Sequence, residues 1–430
     1  MMIKKLSIFS SALVFLAGVS CVQAQATEST APGETTSGQA SQLTLDDLRT
    51  FTDVFNQARR NYVEDVDDKT LLDAAIRGML LELDPHSSYL PAKEYEDLND
   101  AAEGRYSGIG IEVQAQEGKI VVRAIINDSP ADNAGMNPRD VITSIDGQPV
   151  RGRFLPDAMN ELMGPPDTTV DLIVLSPEGE TRELTITRQY IQAPTLSFRM
   201  LEGSNGYFKV TQFHRASAVD LEAALESISN DGTELKALVI DLRENPGGVL
   251  QQAVAMADGF LDSGLIVSTR GRNSTMQLAF RAQPGQWLPA DTPVMLLVDR
   301  GTASASEVLA GALQDNGRAL IVGERTFGKG SVQSVLPLRN GAGIKLTTAR
   351  YYTPSGRSIQ AEGIQPDVVI EWDDGMDVID FRGREADLEG HLDKESETPD
   401  GKLSTTTLPL DDFPLEELLQ ALENEGLISG

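Results

Sequence analysis

Apolar residues follow two rhythms along the chain. Unbroken apolar runs occupy Val294–Val298 and Ala319–Val322, and Ala237–Leu242 is apolar but for Asp241. A run without alternation is what a strand buried on both faces shows, so these segments predict interior strands. Helical spacing marks Leu45, Leu48, Phe51, Val54 and Phe55, and then Leu71, Leu72, Ala75, Ile76, Met79 and Leu80. Asp84-Pro85 stops the second helix, because proline disfavours a helical residue before it. Ala305, Val308, Leu309 and Ala312 line one face of a third helix. That helix joins Val294–Val298 to Ala319–Val322 as a βαβ unit. Residues 27–42 are rich in Thr, Ser, Gly and Gln and predict a disordered linker. An acidic, polar tail over 371–412 precedes a terminal helix over 413–430. Leu415, Leu418, Leu419 and Leu422 share one face there, a stripe suited to docking on the core or on a partner subunit.

Chemistry concentrates in the βαβ unit. Arg300, Gly301 and Thr302 turn the chain, and Ser304 falls where the helix starts. A hydroxyl there sits beside unpaired backbone N–H groups and the positive end of the helix dipole, where an oxyanion would be stabilised. A serine in that place equally serves as a helix cap, and Ser306 competes for any nucleophilic role. Downstream, Lys329 stands between two glycines in Thr326-Phe327-Gly328-Lys329-Gly330. To act as a base near neutral pH, its amine must titrate roughly three units below the usual ~10.4, a differential cost of about 4 kcal/mol that burial can impose. Gln333 lies four residues on, at a spacing that returns to the same face of a strand. The turn Arg243–Gly248 follows another buried run. Gly247 or Gly248 would supply one N–H of an oxyanion hole and Ala305 the other, the choice of glycine staying open. Asp299 and Glu307, flanking the serine, read as structural.

Thr302–Glu307 (TASASE), Gly323–Gln333 (GERTFGKGSVQ) and Ile240–Gly248 (IDLRENPGG) together resemble the carboxyl-terminal processing, or tail-specific, proteases. The resemblance spans nearly all of the chain beyond its first segments. It implies that Ser304 is the nucleophile, Lys329 the general base and Gln333 the residue that positions the lysine. Residues 105–190 look like a PDZ domain, with Ser107, Gly108, Ile109, Gly110 and Ile111 as the loop whose backbone N–H groups capture a peptide's terminal carboxylate. Family members often carry an arginine in the loop where this chain has Met163-Gly164-Pro165-Pro166-Asp167, which removes that side chain from any gating role. Asp84-Pro85-His86-Ser87 also resembles a family motif and reads as structural.

The expected architecture is an α+β multidomain chain. It comprises a helical region over 43–104 of the kind often used in dimerisation, a PDZ domain (β-barrel-like with helices) over 105–190, an α/β protease core with βαβ units over 191–370, and the C-terminal helix. Lys4 and Lys5, the apolar stretch Ile8–Val19 and Ala24-Gln25-Ala26 predict a signal peptide over 1–26, and so export, to the periplasm in a Gram-negative cell. Cys21 would anchor the chain to a membrane if lipidated, but the residues before it match a lipobox poorly. It is the one cysteine of the chain, so no intrachain disulfide can form. A net charge of −29 makes nucleic acid and anionic surfaces poor partners. His86, His214 and His391 show no metal spacing, and no metal or nucleotide cofactor is implied. The resemblance implies substrates that are proteins or peptides with free C-termini, an activating adaptor, and homo-oligomers formed through the terminal helices. Two rival readings are a non-catalytic PDZ scaffold and a chymotrypsin-like protease with a PDZ module. The intact Ser304, Lys329 and Gln333 argue against the first, and the missing His/Asp/Ser order against the second.

Overall fold

The computed structural model describes residues 43–116, 118–192, 196–370, 383–394 and 406–408. The expected signal peptide, the linker, most of the acidic tail and the helix expected over 413–430 lie outside them. The chain divides into two units, Met1–Val66 and Asp67–Gly430. In the first, helix α1 (Leu45–Asn61) begins with a capping box: Asp47 N–H donates to Thr44 Oγ1, and the Asp47 carboxylate accepts the Thr44 N–H. Asp46 and Asp47 in its first turn and Arg59 and Arg60 in its last both suit the helix dipole. The apolar stripe of Leu45, Leu48, Phe51 and Val54 is exposed.

The second unit opens with α2 (Asp68–Leu81) and α3 (Ala92–Ala102), separated by a strand, Ser88–Leu90. That strand pairs antiparallel with Gly343–Lys345 and buries Tyr89 against Leu80 and Ala342. The region expected to be wholly helical therefore also adds a strand to a sheet of the part expected over 191–370. Three residues are too few for periodicity to reveal it.

The PDZ-like part holds a six-stranded sheet with α4 (Pro130–Asn133) and α5 (Leu155–Asn160), closed over a core that includes Ile109, Ile120, Ile142, Ile145, Val170 and Leu172. Ser129 caps α4, accepting the Asp132 N–H, with Pro130 at the first helical position, where its missing N–H costs nothing.

The core of the remaining part is a seven-stranded sheet. Asn205–Val210, Ala237–Asp241, Val294–Val298, Leu320–Gly323, Val368–Ile370 and Thr406–Leu408 run parallel in that spatial order, and Leu196–Met200 lies antiparallel at one edge. Val294–Val298 is buried at every position, as its unbroken apolar run predicts, and Ala237–Asp241 is buried throughout, Asp241 included. Helices α6 (Ser217–Asn230), α7 (Leu250–Phe260) and α8 (Ala305–Asp315) supply Leu221, Met256, Ala257, Val308, Leu309 and Leu313 to the same core. A second sheet, built around the long strand Gly343–Tyr352, includes Ser331–Pro337, the strand that follows Lys329.

Candidate active site

Two strand ends of the parallel sheet meet to form the turn that carries Ser304. Val294–Val298 runs into Asp299, whose Oδ1 accepts the Gly301 N–H at 2.9 Å and the Glu244 N–H at 3.0 Å. Thr302 Oγ1 reaches across to Leu242 O, the end of the neighbouring strand, at 2.8 Å. Asn245 O accepts from both Ala303 N–H (2.9 Å) and Ser306 Oγ (3.1 Å). The turn after Ala237–Asp241 and the turn before α8 are thus stitched into one body. Ser306 is fully buried and committed to that stitching, whereas Ser304 is partly exposed.

Ser304 sits at φ 56°, ψ −115°, a conformation that costs a residue with a Cβ on the order of 1–3 kcal/mol and persists only where the surroundings enforce it. Here the enforcement is visible. Gly247, at φ 99°, passes so close that a Cβ on it would lie 2.8 Å from Ala303 O and 2.9 Å from both Ala305 N and Ser304 Cβ. The Gly247 N–H is taken by Asn245 Oδ1 at 2.9 Å. Gly248 N–H and Ala305 N–H have no hydrogen-bond partner among the described residues, and Gly248 is exposed. Of the two glycines, Gly248 is the one with a donor to spare.

Glu307 joins this turn to the lysine loop. Its carboxylate is fully buried on the first turn of α8 and receives four donors: Ser304 N–H (2.8 Å), Thr326 Oγ1 (2.5 Å), Gly328 N–H (2.7 Å) and Lys329 N–H (2.9 Å). Burial pushes its pKa up to about 7 despite those hydrogen bonds. Phe327 N–H donates to Thr302 O at 3.0 Å, a second tie between the loops. The Ser304-x-x-Glu307 spacing is that of a capping box, the one sequence signal that could have given Glu307 this role.

Lys329 is largely buried, and that burial, with a smaller contribution from the charge of Lys345, holds its pKa below the ordinary lysine value. Glu385, Glu307 and Asp84 act in the opposite direction. Gln333 donates to Ser331 Oγ (2.9 Å) and Thr347 Oγ1 (3.3 Å), and Lys329 is not among its hydrogen-bond partners. Sequence reasoning missed two neighbours of the lysine loop, Gln360 and Glu385, and read Asp84 as structural. It also read His86 as structural without seeing what it touches.

The expected carboxylate-capturing loop forms a site of its own. Tyr106, Gly108–Ile111 and Val113 face Met159, Asn160, Leu162 and Met163 across a mostly apolar cavity of about 340 Å³, between the strand Ile111–Gln116 and α5. Gly110 takes φ 82°, and a Cβ there would strike Ser129 Cβ at 2.3 Å, so only glycine fits. Among the described residues the buried Ser107 hydroxyl has no hydrogen-bond partner. Met163 also lines this cavity.

Models of three families match the chain: Peptidase family S41 over residues 204–370, PDZ domain over 107–187, and Activating protease CtpB N-terminal domain over 8–94. A carboxy-terminal-processing protease of Bartonella bacilliformis is 40% identical over 432 residues, covering 99% of this chain and 97% of that protein. A probable CtpA-like serine protease of Staphylococcus aureus is 34% identical over 325 residues, covering 75% of this chain and 65% of that protein. Among solved structures, the photosystem II D1 C-terminal processing protease is 33% identical, with a TM-score of 0.45, over 74% of this chain and 86% of that one. The 40% identity to the Bartonella bacilliformis protease along almost the whole chain, with the peptidase and PDZ matches falling on the two parts described above, decides the family. The chain belongs to the carboxy-terminal-processing proteases, serine-type peptidases of family S41 that carry a PDZ domain.

Proposed function

We propose that this chain is an exported endopeptidase that cleaves proteins near their C-termini with a Ser-Lys dyad. The observation that carries the reading is the buried Glu307, which holds the backbone of Ser304 and of Lys329 on one carboxylate. Ser304 Oγ attacks the peptide carbonyl while the neutral Lys329 amine takes its proton and later returns it to the leaving amine. The developing oxyanion is received by the N–H groups of Ala305 and Gly248. A protonated lysine cannot play this part, and the depressed pKa of Lys329 supports the assignment. The PDZ cavity accepts the substrate's last residues, its backbone N–H groups facing the terminal carboxylate and its apolar lining the final side chain. The basic and apolar start of the chain supports export.

The test is digestion of an unfolded protein by wild type, Ser304→Ala and Ser306→Ala. Ser304→Ala should lose all cleavage and keep its fold, since replacing a cap residue costs at most about 2 kcal/mol. Ser306→Ala should still cleave, with some stability lost through its broken bond to Asn245. Cleavage by the first variant and none by a folded second variant would reverse the assignment.

A further inference from the structure

The loop carrying Lys329 is clamped on both sides by one buried residue, Glu385, through its backbone on one side and its carboxylate on the other. Its backbone N–H donates to Phe327 O at 3.1 Å, two residues before the lysine. Its Oε1 accepts from Gln360 Nε2 at 2.8 Å, and Gln360 Oε1 accepts the Gly330 N–H at 3.1 Å, one residue after the lysine. Its Oε2 lies 2.7 Å from His86 Nε2, which must be the donor if the carboxylate is ionised. His86 is itself fixed: its N–H donates to Asp84 Oδ1 at 2.9 Å, and Asp84 also accepts from Ser87 Oγ (2.7 Å) and Thr347 Oγ1 (3.0 Å). A buried carboxylate persists only when it is well supplied with donors, and removing one partner is costly.

Such a charge acts on the amine as well as on the loop. Burial alone would raise the Glu385 pKa, but the hydrogen bonds from His86 and Gln360 and the positive charge of Lys329 hold it below the usual range, so the group is anionic at neutral pH. The charges felt by Lys329 are Lys345, which lowers its pKa, and Glu385, Glu307 and Asp84, which raise it, Glu385 the most. We propose that Glu385, oriented by His86, is the positioning residue of Lys329, fixing the loop on either side of the lysine and setting a negative charge against its amine. This rests on the reading of Lys329 as the general base. Neither Glu385 nor His86 needs to touch substrate. Their effect belongs in kcat and in the pH at which the lysine becomes competent, and not in KM.

The experiment is the pH profile of kcat/KM for wild type, Glu385→Gln and His86→Gln, with the melting temperature of each. Wild-type activity should rise as the lysine loses its proton. Glu385→Gln removes the charge and keeps the shape. Its rising limb should move to lower pH by about half a unit to one unit, as expected for one nearby charge in a partly buried site. Its plateau kcat should fall several-fold, with KM within about twofold of wild type. His86→Gln leaves the carboxylate in place and takes away its ring donor, so its limb should stay or move to higher pH. A folded Glu385→Gln variant whose limb coincides with wild type overturns the proposal, as does a His86→Gln limb displaced to lower pH. The second criterion holds even if Glu385→Gln fails to fold. A wild-type profile without any limb, with chemistry rate-limiting, overturns the lysine assignment and this inference with it. A limb that is present but unmoved sinks only the inference.

Discussion

At the scale of single residues, the site holds groups in states they would avoid in water. Lys329 is the clearest case. Its pKa is depressed chiefly by burial, so the folded chain bears a cost while the amine is protonated. That cost is fully present below the depressed value and vanishes as pH rises through it toward the ordinary value of about 10.4. Lys329→Met keeps most of the apolar stem and removes the ammonium. It should therefore melt higher than wild type at pH 7, by roughly 2–4 °C if about 1 kcal/mol is recovered, and the gap should narrow as pH is raised. The same variant should be inactive. Lys329→Arg should be equally inactive, because a guanidinium stays protonated at any working pH. A melting gap that widens with pH would mean that the amine is stabilised, and not strained, by its surroundings.

At the scale of elements, the turn that carries Ser304 is made by two strand ends pressed together, and Gly247 is the point of closest approach. A methyl group on it would meet Ala303 O at 2.8 Å, at a φ of 99° that side chains rarely adopt. Gly247→Ala should displace Ser304 and Ala305 N–H together and lower kcat by about a hundredfold or more, the scale of losing an oxyanion donor. Steady-state kinetics on a folded variant checks this, and a wild-type kcat would show that the contact does not hold the turn. Much of this arrangement was legible beforehand. Buried strands announce themselves as apolar runs, and Ser304, Lys329, Gly247 and Gly248 lie in short motifs at strand ends. Glu307 was within reach through its three-residue spacing from Ser304, yet the pattern says nothing about the Thr326, Gly328 and Lys329 donors it also serves. His86 and Glu385 were out of reach, being 299 positions apart. Periodicity reports only which face a residue shares with its near neighbours. Gln333 shows the converse: the spacing argument put it on one strand face with Lys329, but the strand starts only at Ser331, its register slips between Val332 and Gln333, and the Gln333 amide donates to Ser331 and Thr347.

At the scale of the whole molecule, the question is how a tail bound in the PDZ cavity would bear on a bond broken at Ser304. The segment Phe213–Arg215 touches both sides. Arg215 N–H donates to Ala102 O at 3.1 Å at the entrance to the PDZ part, and Arg215 pairs with Glu103 at 2.9 Å. Gly104 lies so close to His214 that a Cβ on it would be 2.5 Å from the ring. At the other end, Phe213 N–H donates to Gly247 O at 2.9 Å and Val249 N–H to Phe213 O at 2.9 Å, bracketing Gly248. The exposed ion pair contributes little by itself, so any coupling would run through these backbone contacts. A bound tail that only tethers the substrate would lower KM and leave kcat alone. A tail that also shifts the Phe213–Arg215 segment would raise kcat by favouring the arrangement in which Gly248 N–H faces the oxyanion. The backbone contacts favour the second outcome. One substrate, prepared with a free and with an amidated C-terminus, separates the cases: amidation should lower kcat/KM about tenfold, with part of the loss in kcat. Loss confined to KM would leave the PDZ part as a tether, and equal kcat/KM for the two forms would remove carboxylate capture from the mechanism.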